Sequence, residues 1–119
     1  MPFVMARVNV PVNREQEALI KERLGKAIEA IPGKCRDDLL LGLEEGCRFY
    51  LRGKEQKTAY IEVSIFGNED HRGFDVFARD LTEAFHEVLD IPAGNIFATF
   101  EDITAWSVNG MFIDGDRWR

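Results

Sequence analysis

The sequence predicts an α+β fold: a tandem β-α-β repeat forming a four-stranded mixed sheet with two helices on one face, followed by a C-terminal hairpin. Three observations predict it. Both halves of the chain run strand, helix, Ile-Pro, strand, acidic end. Each half carries one stretch of apolar residues at helical spacing. Near the end, Asn109-Gly110 stands between apolar residues in "AWSVNGMFI", the strongest short-range hairpin signal. The 119 residues suit one domain, with pseudo-repeats over 2–46 and 59–103, the hairpin over 104–113 and a tail over 114–119.

Residues 3–10 read as the first strand. Pro2 stands at its start, a position that tolerates a residue with no N–H to give to a ladder. Asn13 can cap the first helix, with Gln16 as its capping-box partner. Ile20, Leu24, Ala27, Ile28 and Ile31 then share one face, and Pro32 follows where the helix should stop. "LLLGLEE" at 39–45 is the second strand. The stretch 46–59 holds a short strand at 49–51 and a polar turn. Residues 60–66 form the third long strand. The second helix carries a stripe of Phe74, Phe77, Ala78, Leu81, Phe85 and Val88, and ends before Pro92. "IFATFED" at 96–102 closes the second unit. Ile31-Pro32 answers Ile91-Pro92, and Leu43-Glu44-Glu45 answers Phe100-Glu101-Asp102.

Right-handed crossovers lay both helices on one sheet face. The strands carry Leu39, Leu41, Ile61, Val63, Ile65 and Phe97, and alternation sends some of these to the other face. Nothing remains in the chain to cover that face. Self-association is the natural remedy, with the hairpin adding a strand to a neighbour's sheet.

The composition is 45% hydrophobic and 11% aromatic, enough for a core. A net charge of -6 argues against nucleic-acid binding, which leaves a basic footprint. No signal-peptide or membrane-spanning run is seen, so a cytoplasmic protein off the membrane is expected. Cys35 and Cys47 lack CxxC spacing and read as ordinary reduced cysteines. His71 and His86 have no ligand spacing that suggests zinc, so no metal is expected. No Gly-rich phosphate loop or Ser-His-Asp pattern is present, and no cofactor is expected.

Five short motifs then occur in order: "MP" before a strand, "NVP" at 9–11, "GK" at 33–34, "VSIFG" at 63–67, and "FED" followed by "AWSVNG" over 100–110. In this order, with the doubled unit, the chain resembles the tautomerase superfamily, whose members use an amino-terminal proline. The resemblance is greatest to the branch typified by macrophage migration inhibitory factor and D-dopachrome tautomerase. It implies a homotrimer with sites at subunit boundaries and a small 2-keto acid substrate such as phenylpyruvate. Pro2 would be general base and then acid, which requires removal of Met1 because Pro2 nitrogen is otherwise an amide.

The chemistry suits such a group. An α-amino group titrates near 8, and an apolar pocket or a nearby cation lowers that value toward a useful base. Phe3, Phe97, Trp106 and Phe112 are aromatic candidates for the pocket wall. By resemblance, Lys34 binds the substrate carboxylate, and the backbone at Ser64 and Ile65 orients the substrate oxygen. Phe97 and Thr99 stand where the branch has a tyrosine and an asparagine that reach a neighbour's site. Asp37 and Asp38 stand where the branch has an aromatic residue, and they resemble the aspartate that assists proline in malonate semialdehyde decarboxylase. That enzyme's arginine pair has no counterpart at 66–69; Arg72 comes a few residues later. Two other readings stay open, a decarboxylase of that type and a non-enzymatic trimeric interaction module. A small ferredoxin-like regulatory domain is a further one.

Overall fold

The computed structural model describes residues 1–115. The element order is β1 (Pro2–Val8), α1 (Arg14–Ala27), β2 (Leu40–Glu44), β3 (Tyr50–Leu51), β4 (Lys54–Glu55), β5 (Ala59–Phe66), α2 (Phe74–Leu89), β6 (Ile96–Ile103), β7 (Ala105–Val108) and β8 (Met111–Asp114). The main sheet has the order β2-β1-β5-β6. β1 runs parallel to β2 and antiparallel to β5, and β5 runs parallel to β6. This is the tandem β-α-β sheet, with β7 and β8 as the C-terminal hairpin. The expected tail begins inside β8; residues 116–119 lie outside the described residues.

α1 starts as its sequence requires. Asn13 accepts from the Gln16 N–H at 2.8 Å, and the Gln16 amide oxygen accepts from the Asn13 N–H at 2.9 Å. After a short 3-10 turn (Ile28–Ala30), Ile31 to Lys34 form a tight turn in which the Lys34 N–H donates to the Ile31 carbonyl at 3.1 Å. Proline at its second position and glycine at φ 79° at its third are what a type II turn requires. α2 begins differently. Gly73 has φ 83° and lies against the Ala30 carbonyl, where a side chain would collide. Its buried stripe is Phe74, Phe77, Leu81, Ala84, Phe85 and Leu89. Ala78 and Val88 of the expected stripe are only partly buried; the packed face is rotated onto Ala84 and Leu89.

The core lies between helices and sheet. Val4, Ala6 and Val8 of β1 meet Ala59, Ile61, Val63 and Ile65 of β5, with Ile20, Leu24, Phe77, Leu81 and Phe85 from the helices. Leu39, Leu41, Leu43, Ile96, Ala98 and Phe100 close its sides. This corrects the expectation for the second face. Leu39, Leu41, Ile61, Val63 and Ile65 all face the helices, because they fall in one phase of the two-residue period; of that group only Phe97 is on the open side. The open face carries Phe3, Met5, Tyr60 and Phe97 with Arg7 between Glu44 and Glu62. Met5 sulfur fills the space left by Gly42, its partner on β2.

The stretch 46–59 holds more order than expected. β3 and β4 pair as a hairpin through Arg52-Gly53, both at positive φ. Lys54–Glu55 escaped notice because charged pairs are poor strand formers. Asn109-Gly110 turns the C-terminal hairpin as expected, with φ 53° and 75°.

Candidate active site

β1 delivers Pro2 to one end of the sheet. It is the first strand residue, it is buried, and it pairs with Ile65, which in turn lies beside Asp102. The Phe66 N–H donates to the Met1 carbonyl at 3.3 Å and holds the chain start against β5. The N-terminal amine therefore sits at a half-closed position rather than in free solvent. It is lowered from its usual 8.0 to about 5. Burial is the largest cause, the Lys34 ammonium donating to the amine is next, and the Lys34 charge adds to it; Asp38 opposes all three. In this chain the amine belongs to Met1. Removing Met1 transfers it to Pro2, one residue further in.

The tight turn after α1 places Lys34 here, partly buried. A 3-10 turn (Arg36–Asp38) follows and separates the two expected acids. Asp38 closes that turn just before β2 begins at Leu40. Its carboxylate accepts from the Cys35 thiol at 3.3 Å. Asp37 instead lines a groove with Lys21, Glu22 and Leu39 to Leu41, on the far side of β2.

The other expected residues do not converge on Pro2 within one chain. Ser64 pairs with Phe3 on the open face, opposite to the side on which Pro2 is buried. Because the Phe66 N–H turns to β1, alternation turns the Ile65 N–H to the β6 side, away from the amine. Ile65 meets Pro2 as its buried strand partner. Phe97 and Thr99 lie toward the other end of β6, on the open face, with the Thr99 hydroxyl 3.2 Å from that of Tyr60. Phe97 is five residues from Asp102, about 17 Å along an extended strand. Only a second copy could bring it to an amine. Trp106 is nearer: its ring is 6.4 Å from that of Phe66, which is buried although it belongs to the open face. Phe112 is exposed on the hairpin.

Three participants were not read from the sequence. Cys35 holds Asp38, Phe66 holds Met1, and His71 meets the Asp102 carboxylate at 2.7 Å at the far end of the Pro2 row. His71 also stacks on Phe74, which stacks on Phe100. A histidine three residues before a helical stripe was a usable signal; the other two depend on register. Arg72 is engaged by Asp70 at 3.2 Å. Among the described residues, no group of three or more His, Cys, Asp or Glu side chains is placed to hold a metal, and no helix is long and apolar enough to cross a membrane.

Comparison with known proteins follows the same outline. The family model for macrophage migration inhibitory factor matches residues 1–112. No curated protein sequence matches significantly. Among solved structures, MIF2 of Leishmania major superposes with a TM-score of 0.86 at 19% identity, covering 95% of this chain and 97% of that one. A macrophage migration inhibitory factor homologue from Prochlorococcus marinus gives 0.82 at 25% identity, with 92% and 97% covered. Pt0534, in a structure inactivated by 2-oxo-3-pentynoate, gives 0.82 at 15% identity, with 98% of each chain covered.

Proposed function

This chain belongs to the macrophage migration inhibitory factor family, and on that premise we propose that it is a cofactor-free keto–enol tautomerase of small 2-keto acids. Membership in a tautomerase superfamily supports an isomerase-type role in general. The observation that carries the finer reading is Pro2 buried at the start of β1, at the end of the sheet where burial and Lys34 hold the Met1 amine below its usual value. Once Met1 is removed, the same surroundings would lower the Pro2 amine, leaving it free to take a proton at neutral pH and to return it.

In the proposed mechanism Met1 is removed and Pro2 nitrogen is the base. Lys34 has two tasks. Its ammonium attracts the substrate carboxylate, and its charge disfavours protonation of the amine beside it. The amine takes a proton from the enol hydroxyl or from the carbon next to the carbonyl. It then gives that proton to the other atom, so no net proton is lost. Phe97 and Thr99 of a neighbouring copy, with Trp106, complete the wall in a homotrimer that also covers the open sheet face. A 2-keto acid probe is apt because Pt0534 was inactivated by a 2-oxo compound. We place the protein in the cytoplasm and assign it no nucleic-acid or membrane partner.

The test is turnover of phenylpyruvate together with labelling by 3-bromopyruvate at neutral pH. Modification of Pro2 and a loss of roughly tenfold or more in Pro2→Ala support the reading. A fully active Pro2→Ala protein ends it. Asp38 beside the amine favours one second reading, decarboxylation of a short 3-oxo acid, which release of carbon dioxide from malonate semialdehyde would reveal.

A further inference from the structure

The turn that delivers Lys34 stands on one core residue. Ile31 is fully buried, whereas Pro32 and Gly33 are exposed and Lys34 is partly buried. The turn needs no outside help to form, because Pro32, Gly33 and the Lys34 N–H on the Ile31 carbonyl already specify it. Yet a side chain from the second half reaches it. Asn68 lies in segment 67–73, between β5 and α2, and its amide donates to the Pro32 carbonyl at 2.9 Å. That carbonyl belongs to the central peptide of the turn, the peptide that flips between type I and type II. Holding it fixes which way the chain leaves toward Lys34.

The segment that carries Asn68 is itself anchored. The Asn68 carbonyl accepts from the His71 N–H at 3.1 Å, and the His71 carbonyl accepts from the Phe74 N–H at 3.1 Å. His71 lies at φ 61°, a region few residues other than glycine enter. Its ring is held there by the Asp102 carboxylate at 2.7 Å and by Phe74, with ring centres 4.9 Å apart. We propose that Asn68 is a positioning residue: through the Pro32 carbonyl it holds the turn so that the Lys34 ammonium stays where it meets the substrate carboxylate. The inference deepens the proposed function and rests on one part of it, Lys34 as the carboxylate-binding group. It does not depend on the reacting amine. Asn68 acts on where a long side chain is rooted, and a loosely rooted side chain loses more freedom when it binds.

Binding is read without turnover, by titrating the protein with phenylglyoxylate. This 2-keto acid has no hydrogen on the carbon next to its carbonyl and so cannot enolise. Lys34→Ala is expected to weaken binding about tenfold. Asn68→Leu keeps the side chain's size and removes the donor; it should weaken binding about threefold, within what one neutral hydrogen bond is worth. In the Lys34→Ala background it should add nothing. With phenylpyruvate, Asn68→Leu should raise KM about threefold and leave kcat unchanged, a split that loss of folded protein does not produce. The proposal is overturned if Asn68→Leu binds like the unsubstituted protein while Lys34→Ala does not, or if Asn68→Leu weakens binding as much without Lys34. If the unsubstituted protein does not bind phenylglyoxylate, or Lys34→Ala binds it equally well, the reading of Lys34 falls and this proposal with it. Where binding follows the expected pattern but phenylpyruvate is not turned over, the positioning role stands and only the tautomerase reading fails. Should Asn68→Leu fail to fold, Asn68→Ala, which adds no bulk, is judged by the same outcomes.

Discussion

The two β-α-β halves share a plan but treat their strand starts in opposite ways. In the second half, β5 emerges from a hairpin and its start is sealed. Thr58 and Asn95, the buried polar side chains among the described residues, both lie there. The Thr58 N–H donates to Asn9 at 2.8 Å, and the Asn95 amide donates to the Lys57 carbonyl at 3.0 Å. In the first half, β1 starts at the chain terminus. The residue that follows Ile-Pro-Gly is Lys34, and it faces an amine. The same scaffold position is thus a polar seal in one half and, on the proposed reading, a reactive opening in the other. The difference lies in what each strand start meets: the side chains of Asn9 and Asn95 at β5, and Lys34 at β1.

The largest break in this comparison would come from blocking Pro2 nitrogen. Residues fused before Pro2 convert its nitrogen to an amide and should lower tautomerase turnover by about 100-fold or more, with circular dichroism and melting unchanged. Next is the packing between the halves. Gly73→Ala forces a side chain into the Ala30 carbonyl at φ 83° and should cost more than about 2 kcal/mol in denaturant unfolding. Gly33, at φ 79° with open space around it, serves as the milder control. Lys34→Ala is a test of the opening itself. It should raise KM about tenfold, the loss of one carboxylate contact. It should also raise the midpoint of the Pro2 amine, so the rising limb of the pH–rate profile moves to higher pH. The smallest effect is at the start of α1, where Asn13→Ala should cost about 1 kcal/mol of thermal stability and no activity.

The repeat was legible because its signals are local. Asn13 with Gln16, the Ile-Pro stops and Asn109-Gly110 each act within a few residues, and each appears in the fold. Which apolar residues face the helices was harder. Ile61, Val63 and Ile65 announce a strand equally well in either phase, and only the register settles which side they take. Asp37 and Asp38 look identical in sequence, yet one 3-10 turn sends them to different surfaces. The aromatic wall was least legible of all. Phe97 lies toward the other end of β6 from the Pro2 row, and Phe112 is exposed on the hairpin, which register and turn geometry decide rather than residue type.

The burial of Pro2 at the very start of β1 has a consequence for maturation. While Met1 is attached, Pro2 nitrogen is an amide and the proposed base does not exist; one peptide bond must be cut to create it. Folding and activity would then be separate events in the life of the molecule. A preparation would hold two populations with the same sheet, the same core and nearly the same mass, of which one is silent. Specific activity would be set by the processed fraction, read from the intact mass, before any property of the site is compared.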